Sequence, residues 1–131
     1  LPSSNRKAVD VTMEKTKNND GLTLVVALSY GSREEILGAT RKLMQSAIEG
    51  DLEPSELNEE LFSQSLDTAG MPDPDLLVRT SGEFRVSNFL LWQISYAEIY
   101  ITNDFWPDFG REELLTAVAD YQNRQRRFGG I

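Results

Sequence analysis

The run LTLVVAL, Leu22 to Leu28, constrains the fold more than any other part of the sequence. It is apolar apart from Thr23, rich in β-branched residues and bounded by Gly21 and Gly31. Alternation would mark a strand with one wet face; a continuous run of this length predicts a central strand covered on both faces, as in a parallel sheet. Around it the period is helical. Residues 4–17 carry Ala8, Val9 and Met13 at helical spacing and stop at Asn18-Asn19-Asp20-Gly21, a helix end followed by a turn. Ser32 stands three residues before Glu35, the spacing of a capping box, and Ile36, Thr40, Leu43, Met44 and Ala47 form one stripe as far as Gly50.

Farther along, Leu57, Leu61, Phe62 and Leu66 predict a short amphipathic helix ending near Gly70. Pro72 and Pro74 then precede DLLVR, a short strand. The loop TSGEFRV leads to Ser87, a natural N-cap for a helix over NFLLWQISYA, and EIYIT, Glu98 to Thr102, reads as a second strand. From Arg111 to about Phe128, the positions Leu114, Leu115, Val118 and Tyr121 predict a last amphipathic helix stopped by Gly129-Gly130. Helices alternating with short apolar strands imply an α/β fold, a parallel sheet flanked by helices with right-handed crossovers. There is no internal repeat, low-complexity segment or interdomain linker, so 131 residues predict one domain with one compact core.

Composition narrows the chemistry. The chain has neither histidine nor cysteine, which excludes thiolate or imidazole zinc sites, Cys–His nucleophiles, Ser–His–Asp triads and disulfides. Catalysis would have to use carboxylates, hydroxyls, arginines or a partner. No apolar run approaches the roughly 18 residues of a membrane span and no signal segment opens the chain, so the expectation is a soluble cytoplasmic protein. The net charge of −8 is uneven: +2 over residues 1–48, −9 over 49–78 and −1 over 79–131. The acidic belt reads as a solvated helix with its flanking loops, and without a basic face nucleic acid is not an expected partner.

Open α/β sheets place ligands outside the carboxyl ends of their strands, which directs attention to the residues leaving DLLVR. Arg79 ends that strand, Arg85 follows six residues on, and Ser87 begins the predicted helix, with Ser81 and Gly82 between. Two guanidiniums, a hydroxyl and free N–H groups at a positive helix end suit a diphosphate, each charged hydrogen bond being worth roughly 1.5–3 kcal/mol. The alternative is that Arg79 pairs with Asp75 and Ser87 only caps.

Glu98 interrupts the apolar stretch ISYAEIYI, and a buried carboxylate needs a cation: Mg²⁺ held together with substrate phosphates, or an arginine. Arg124, Arg126 and Arg127 precede Phe128-Gly129-Gly130, where they complement a helix dipole or bind phosphate in trans. Trp92, Tyr96 and Tyr100 read as core or interface. Tyr30-Gly31-Ser32 is a weak phosphate signal, and no G-x-G-x-x-G supports a dinucleotide.

At DLLVRTSGEFRVSNFLLWQISYAEIY, then FWPDF and RRFGG, with SYGSREE as an earlier block, the sequence resembles the carboxyl-terminal half of a cis-prenyltransferase, of the bacterial undecaprenyl diphosphate synthase type. The resemblance runs from about Asn18 to Gly130. It implies that residues 1–131 are the carboxyl-terminal part of a single catalytic domain that extends farnesyl diphosphate by cis condensation with isopentenyl diphosphate. It also implies Mg²⁺, a homodimer, and a polyprenyl carrier for cell-wall synthesis handed on to the membrane.

Arg79, Arg85 and Ser87 fall on the family's isopentenyl diphosphate positions, and Glu98 on its Mg²⁺-linked glutamate. Arg127-Phe128-Gly129 matches the terminal R-x-G element that reaches the partner's diphosphate, so Arg127 and Gly129 join the substrate-binding set. Leu22, Leu24, Val26 and Leu28 would line a wall of the product tunnel or pack in the core. Ser29 and Ser32 depart from the family's N-Y-G-G-R, and Phe84 stands where histidine is common. The family's Asp-Gly-Asn-Gly-Arg loop, with its principal catalytic aspartate, is not in this sequence. The chain alone is therefore expected to be inactive; the competing reading is a non-catalytic diphosphate-binding or dimerisation module.

Overall fold

Strong helical periodicity forms helices here. A computed structural model describes residues 3–125. Helix α1 spans Ser3–Thr16 and α2 spans Ser32–Glu49. Gly50 closes α2 at φ 81°, the left-handed conformation glycine adopts without a Cβ clash, so that the N–H groups of Gly50 and Asp51 reach the carbonyls of Ala47 and Ser46. The predicted third helix is shorter than its apolar pattern: α3 covers Glu59–Ser63, capped by Asn58, whose Oδ1 accepts from the Leu61 N–H at 2.9 Å. Leu66 lies in the turns beyond it and is buried.

The two strands downstream form as expected. Strand β1, Leu76–Arg79, pairs in parallel with β2, Glu98–Ile101, in the register Leu76↔Glu98 to Arg79↔Ile101. The ladder is extended at both ends, Glu98 N–H to Asp75 O and Thr102 N–H to Arg79 O, each 2.9 Å. Beyond β1 the chain is tied down again, by Ser81 N–H to Asp104 O and Gly82 N–H to Thr102 O, each 2.8 Å. Gly82 sits at φ 63°, and a Cβ there would come 2.8 Å from Asn103 Oδ1. Helix α4, Arg111–Gln122, packs on β2 and buries Ala117; the predicted stripe residues Leu114 and Leu115 remain half exposed. The helix stops at Gln122, capped by Asn123, short of the predicted Phe128; Arg124 and Gln125 are already outside it, and residues 126–131 lie outside the described residues.

Three expectations are corrected. LTLVVAL is not a strand in this structure: Leu22–Leu28 has no ladder, and Leu22 is 96% and Leu24 81% exposed. Composition gives a segment the capacity to be a strand, but a strand exists only with a neighbour, and among the described residues the sheet contains β1 and β2 alone. No helix follows Ser87 either. Ser87, Asn88 and Leu90 have φ of 50°, 63° and 47°, values an L-residue cannot propagate into a right-handed helix, and residues 87–96 form successive turns.

The third correction concerns the core. Only Ala39, Leu66 and Ala117 are fully buried apolar residues among those described, and the chain exposes 10669 Å². A compact protein of this mass would expose about 7000 Å².

Candidate functional site

Two adjoining clefts open at the carboxyl end of β1. The first, about 310 Å³, is lined by Arg79, Glu83, Phe84 and Arg85 with Leu77, Val86, Ile99 and Ile101. The second, about 690 Å³, is lined by Arg33, Glu34, Ser87, Asn88 and Leu91, and shares Phe84, Arg85 and Val86 with the first. The three residues singled out for an anion are thus gathered: Arg79 in one cleft, Ser87 in the other and Arg85 in the wall of both. Phe84 is well exposed there.

The two arginines differ in state. Arg79 is half-buried, and its Nε is buried without a hydrogen-bond partner. An orphaned guanidinium donor is costly, and the same residue lines the first cleft. Arg85 reaches solvent and pairs with Glu83. Exposed pairs of this kind are weak, so Glu83 holds Arg85 without committing it.

The helix dipole expected at Ser87 is missing with the helix. The nearest helix start is that of α2, and its N–H groups are already taken: Ser32 N–H donates to Asn88 O at 2.8 Å and Arg33 N–H to Asn88 Oδ1 at 2.9 Å. Asn88 caps α2 from 55 residues away in sequence, and the predicted Ser32–Glu35 capping box does not form. Glu34 closes the corner, holding Asn88 Nδ2 at 3.1 Å. Its carboxyl sits below its usual range because its own backbone N–H and then the Asn88 amide donate to it. Arg33 was not singled out as an anion ligand in the sequence; its place in the second cleft follows from the long-range docking of residues 87–91 on α2.

Glu98 lies apart from this cluster. It starts β2 while Arg79 ends β1, so about three strand steps, roughly 10 Å, separate their levels in the sheet. Glu98 Oε2 accepts from Arg124 Nη1 at 2.9 Å, and Arg124 also holds Asp120 and, at 3.0 Å, the Ile99 carbonyl. Glu98 first and Asp120 second raise the Arg124 pKa above its ordinary value. The arginine partner weighed for Glu98 is therefore present.

Glu98 is thus a single carboxylate with one oxygen held by Arg124, and no group of three His, Cys, Asp or Glu side chains is gathered among the described residues. Glu98→Gln is expected to lower stability by about 1 kcal/mol, the loss of one partly screened charge-assisted bond, measured by urea unfolding. An unchanged midpoint would exclude the bridge as a stabilising contact. Arg127 and Gly129 lie outside the described residues.

Trp92 packs as read, its ring 4.5 Å from that of Phe62 and its Nε1 donating to Ser63 Oγ at 2.9 Å, while Tyr96 is exposed. The class the structure defines is an α/β protein whose parallel strand ends at paired clefts lined by two guanidiniums and a hydroxyl. Residues 1–129 match the family described as "Putative undecaprenyl diphosphate synthase", and the chain belongs to that family.

Among its relatives, an isoprenyl transferase of Bacillus cereus is 51% identical over 131 residues, all of this chain and 51% of the relative. The ditrans,polycis-undecaprenyl-diphosphate synthase ((2E,6E)-farnesyl-diphosphate specific) of Micrococcus luteus is also 51% identical over 131 residues, 53% of its length. The chain spans about half the length of the curated relatives it matches. Lavandulyl diphosphate synthase from Lavandula x intermedia, solved in complex with dimethylallyl diphosphate, superimposes with a TM-score of 0.91 at 40% identity, over 98% of this chain and 56% of that one. A probable undecaprenyl diphosphate synthase from Campylobacter jejuni gives 0.75 at 40% identity, over 98% of this chain and 58% of that one.

Proposed function

We propose that this chain supplies the isopentenyl diphosphate site of an undecaprenyl diphosphate synthase, a cis-prenyltransferase that condenses isopentenyl diphosphate onto farnesyl diphosphate. The observation that carries this reading is the gathering of Arg79, Arg85 and Ser87 around adjoining clefts, with Arg79 Nε buried and lacking an acceptor. Family membership and the diphosphate bound by a 40% identical relative support it.

In this reading Arg79 and Arg85 take diphosphate oxygens through their planar forks and Ser87 donates a hydroxyl hydrogen bond. The apolar walls Leu77, Ile99 and Ile101 face the isoprenoid carbons. Homodimerisation, with Arg127 and Gly129 reaching the partner's diphosphate, belongs to the same proposal. So do Mg²⁺ as the counter-ion of the diphosphates, a cytoplasmic setting, and transfer of the lipid product to a membrane. Glu98 would meet Mg²⁺ through its Oε1 or by exchanging Arg124, which holds its Oε2. No helix among the described residues is long and apolar enough to cross a membrane.

The test is titration of isopentenyl diphosphate and of inorganic diphosphate into the chain by calorimetry. Saturable uptake of both is expected. No heat with either ligand would overturn the reading. Uptake without turnover by the protein in its native context would leave the non-catalytic module instead.

A further inference from the structure

Three of the buried side chains among the described residues are polar or charged. Ser32 is 0%, Gln93 2% and Glu35 9% exposed. Together they join the first turn of α2 to the segment that follows Arg85. Glu35 Oε1 accepts from the Asp67 N–H at 2.9 Å, and Oε2 accepts from the Tyr30 hydroxyl. Gln93 Nε2 lies 3.4 and 3.3 Å from the two carboxylate oxygens and donates to Thr68 Oγ1 at 2.9 Å. Ser32 Oγ accepts from the Leu91 N–H at 2.9 Å. None of the ion pairs among the described residues involves Glu35.

Two features give this network a purpose beyond packing. Gln93 is held with its Oε1 buried and unpartnered, so its amide is placed for the hydrogen bonds its N–H groups give to Glu35 and Thr68. Ser87, Asn88 and Leu90 all occupy the left-handed region, a conformation that persists only where surrounding contacts over-determine it. The contacts that do so come from α2: Ser32 and Arg33 hold Asn88, Ser32 holds Leu91, and Glu35 holds Gln93.

We propose that Ser32 and Glu35 are positioning residues of the anion site. They touch no ligand; they fix residues 87–93 in the strained conformation that sets Ser87 beside Arg85. This rests on the diphosphate reading above, and preorganisation by buried supporting bonds is what such a site requires.

The experiment titrates inorganic diphosphate into the 131-residue chain and its Ser32→Ala, Gln93→Leu and Arg85→Ala variants. Amide exchange and chemical shifts at Ser87 and Asn88 are followed by NMR. Ser32→Ala and Gln93→Leu should keep their circular dichroism, speed exchange at Ser87 and Asn88, and weaken diphosphate binding about tenfold, the factor that follows from losing one supporting bond. Wild-type affinity in both folded variants overturns the positioning role and leaves the site reading standing. Absence of binding in the wild-type chain overturns the site reading, and this inference with it. Should Gln93→Leu not fold, Ser32→Ala, which removes a single oxygen, decides alone.

Discussion

Arg85→Ala weakens diphosphate binding by about a hundredfold, and Arg79→Ala does nearly as much while leaving the unfolding midpoint where it was. The magnitude follows from two charge-assisted bonds per guanidinium at roughly 1.5–3 kcal/mol each, discounted for the exposure of Arg85. Arg85 leads because it lines both clefts. Arg79 carries a donor with no partner, so its removal takes away a desolvation cost along with a cation. Arg79→Lys keeps the charge but loses the fork and should recover only part of the affinity. Calorimetry and thermal unfolding on the same samples separate the outcomes: a fall in melting temperature with unchanged affinity would make the arginines structural ion pairs.

The isolated chain, given Mg²⁺ and both substrates, forms no polyprenyl product above background in a radiolabel incorporation assay. The reasoning is chemical. Departure of the allylic diphosphate needs charge stabilisation at the leaving oxygens, commonly worth factors of about 10²–10³ for one lost donor and more for a metal-linked carboxylate. The Asp-Gly-Asn-Gly-Arg element to which the family resemblance assigns that task is not in the sequence. Glu98, the one carboxylate the resemblance links to metal, is held by Arg124. Product from this chain alone would show that the clefts at β1 are a complete catalytic site.

What could be read from sequence here divides along the range of the interactions. α1, α2, β1 and β2 follow from periodicity and local stops, because a helix carries its own hydrogen bonds and the DLLVR and EIYIT strands find each other. Leu22–Leu28 has equal strand character and no neighbouring strand among the described residues, and composition cannot report the difference. Ser87 looked like an N-cap because residue type says nothing of φ; docking on α2 sets its conformation.

That Arg79, Arg85 and Ser87 would gather was legible from their place at a strand end. The Ser32–Glu35–Gln93 network was not, since the capping-box spacing offered a local explanation for side chains whose partners lie far off in sequence. The one signal was Gln93 itself, an amide set within an apolar run.

The uncovered run Leu22–Leu28 also governs how the chain behaves at high concentration. Seven uncharged, proline-free residues of high β propensity, with their backbone unpaired, are a template for strand addition between copies. The net charge of −8 gives little local protection, because nine of the acidic residues fall in 49–78 and none within the run. Beside the closed dimer proposed above, which would saturate, sedimentation should therefore record an open series that grows with concentration. Lysine at Leu24 and Val26 removes the second and leaves the first to be measured.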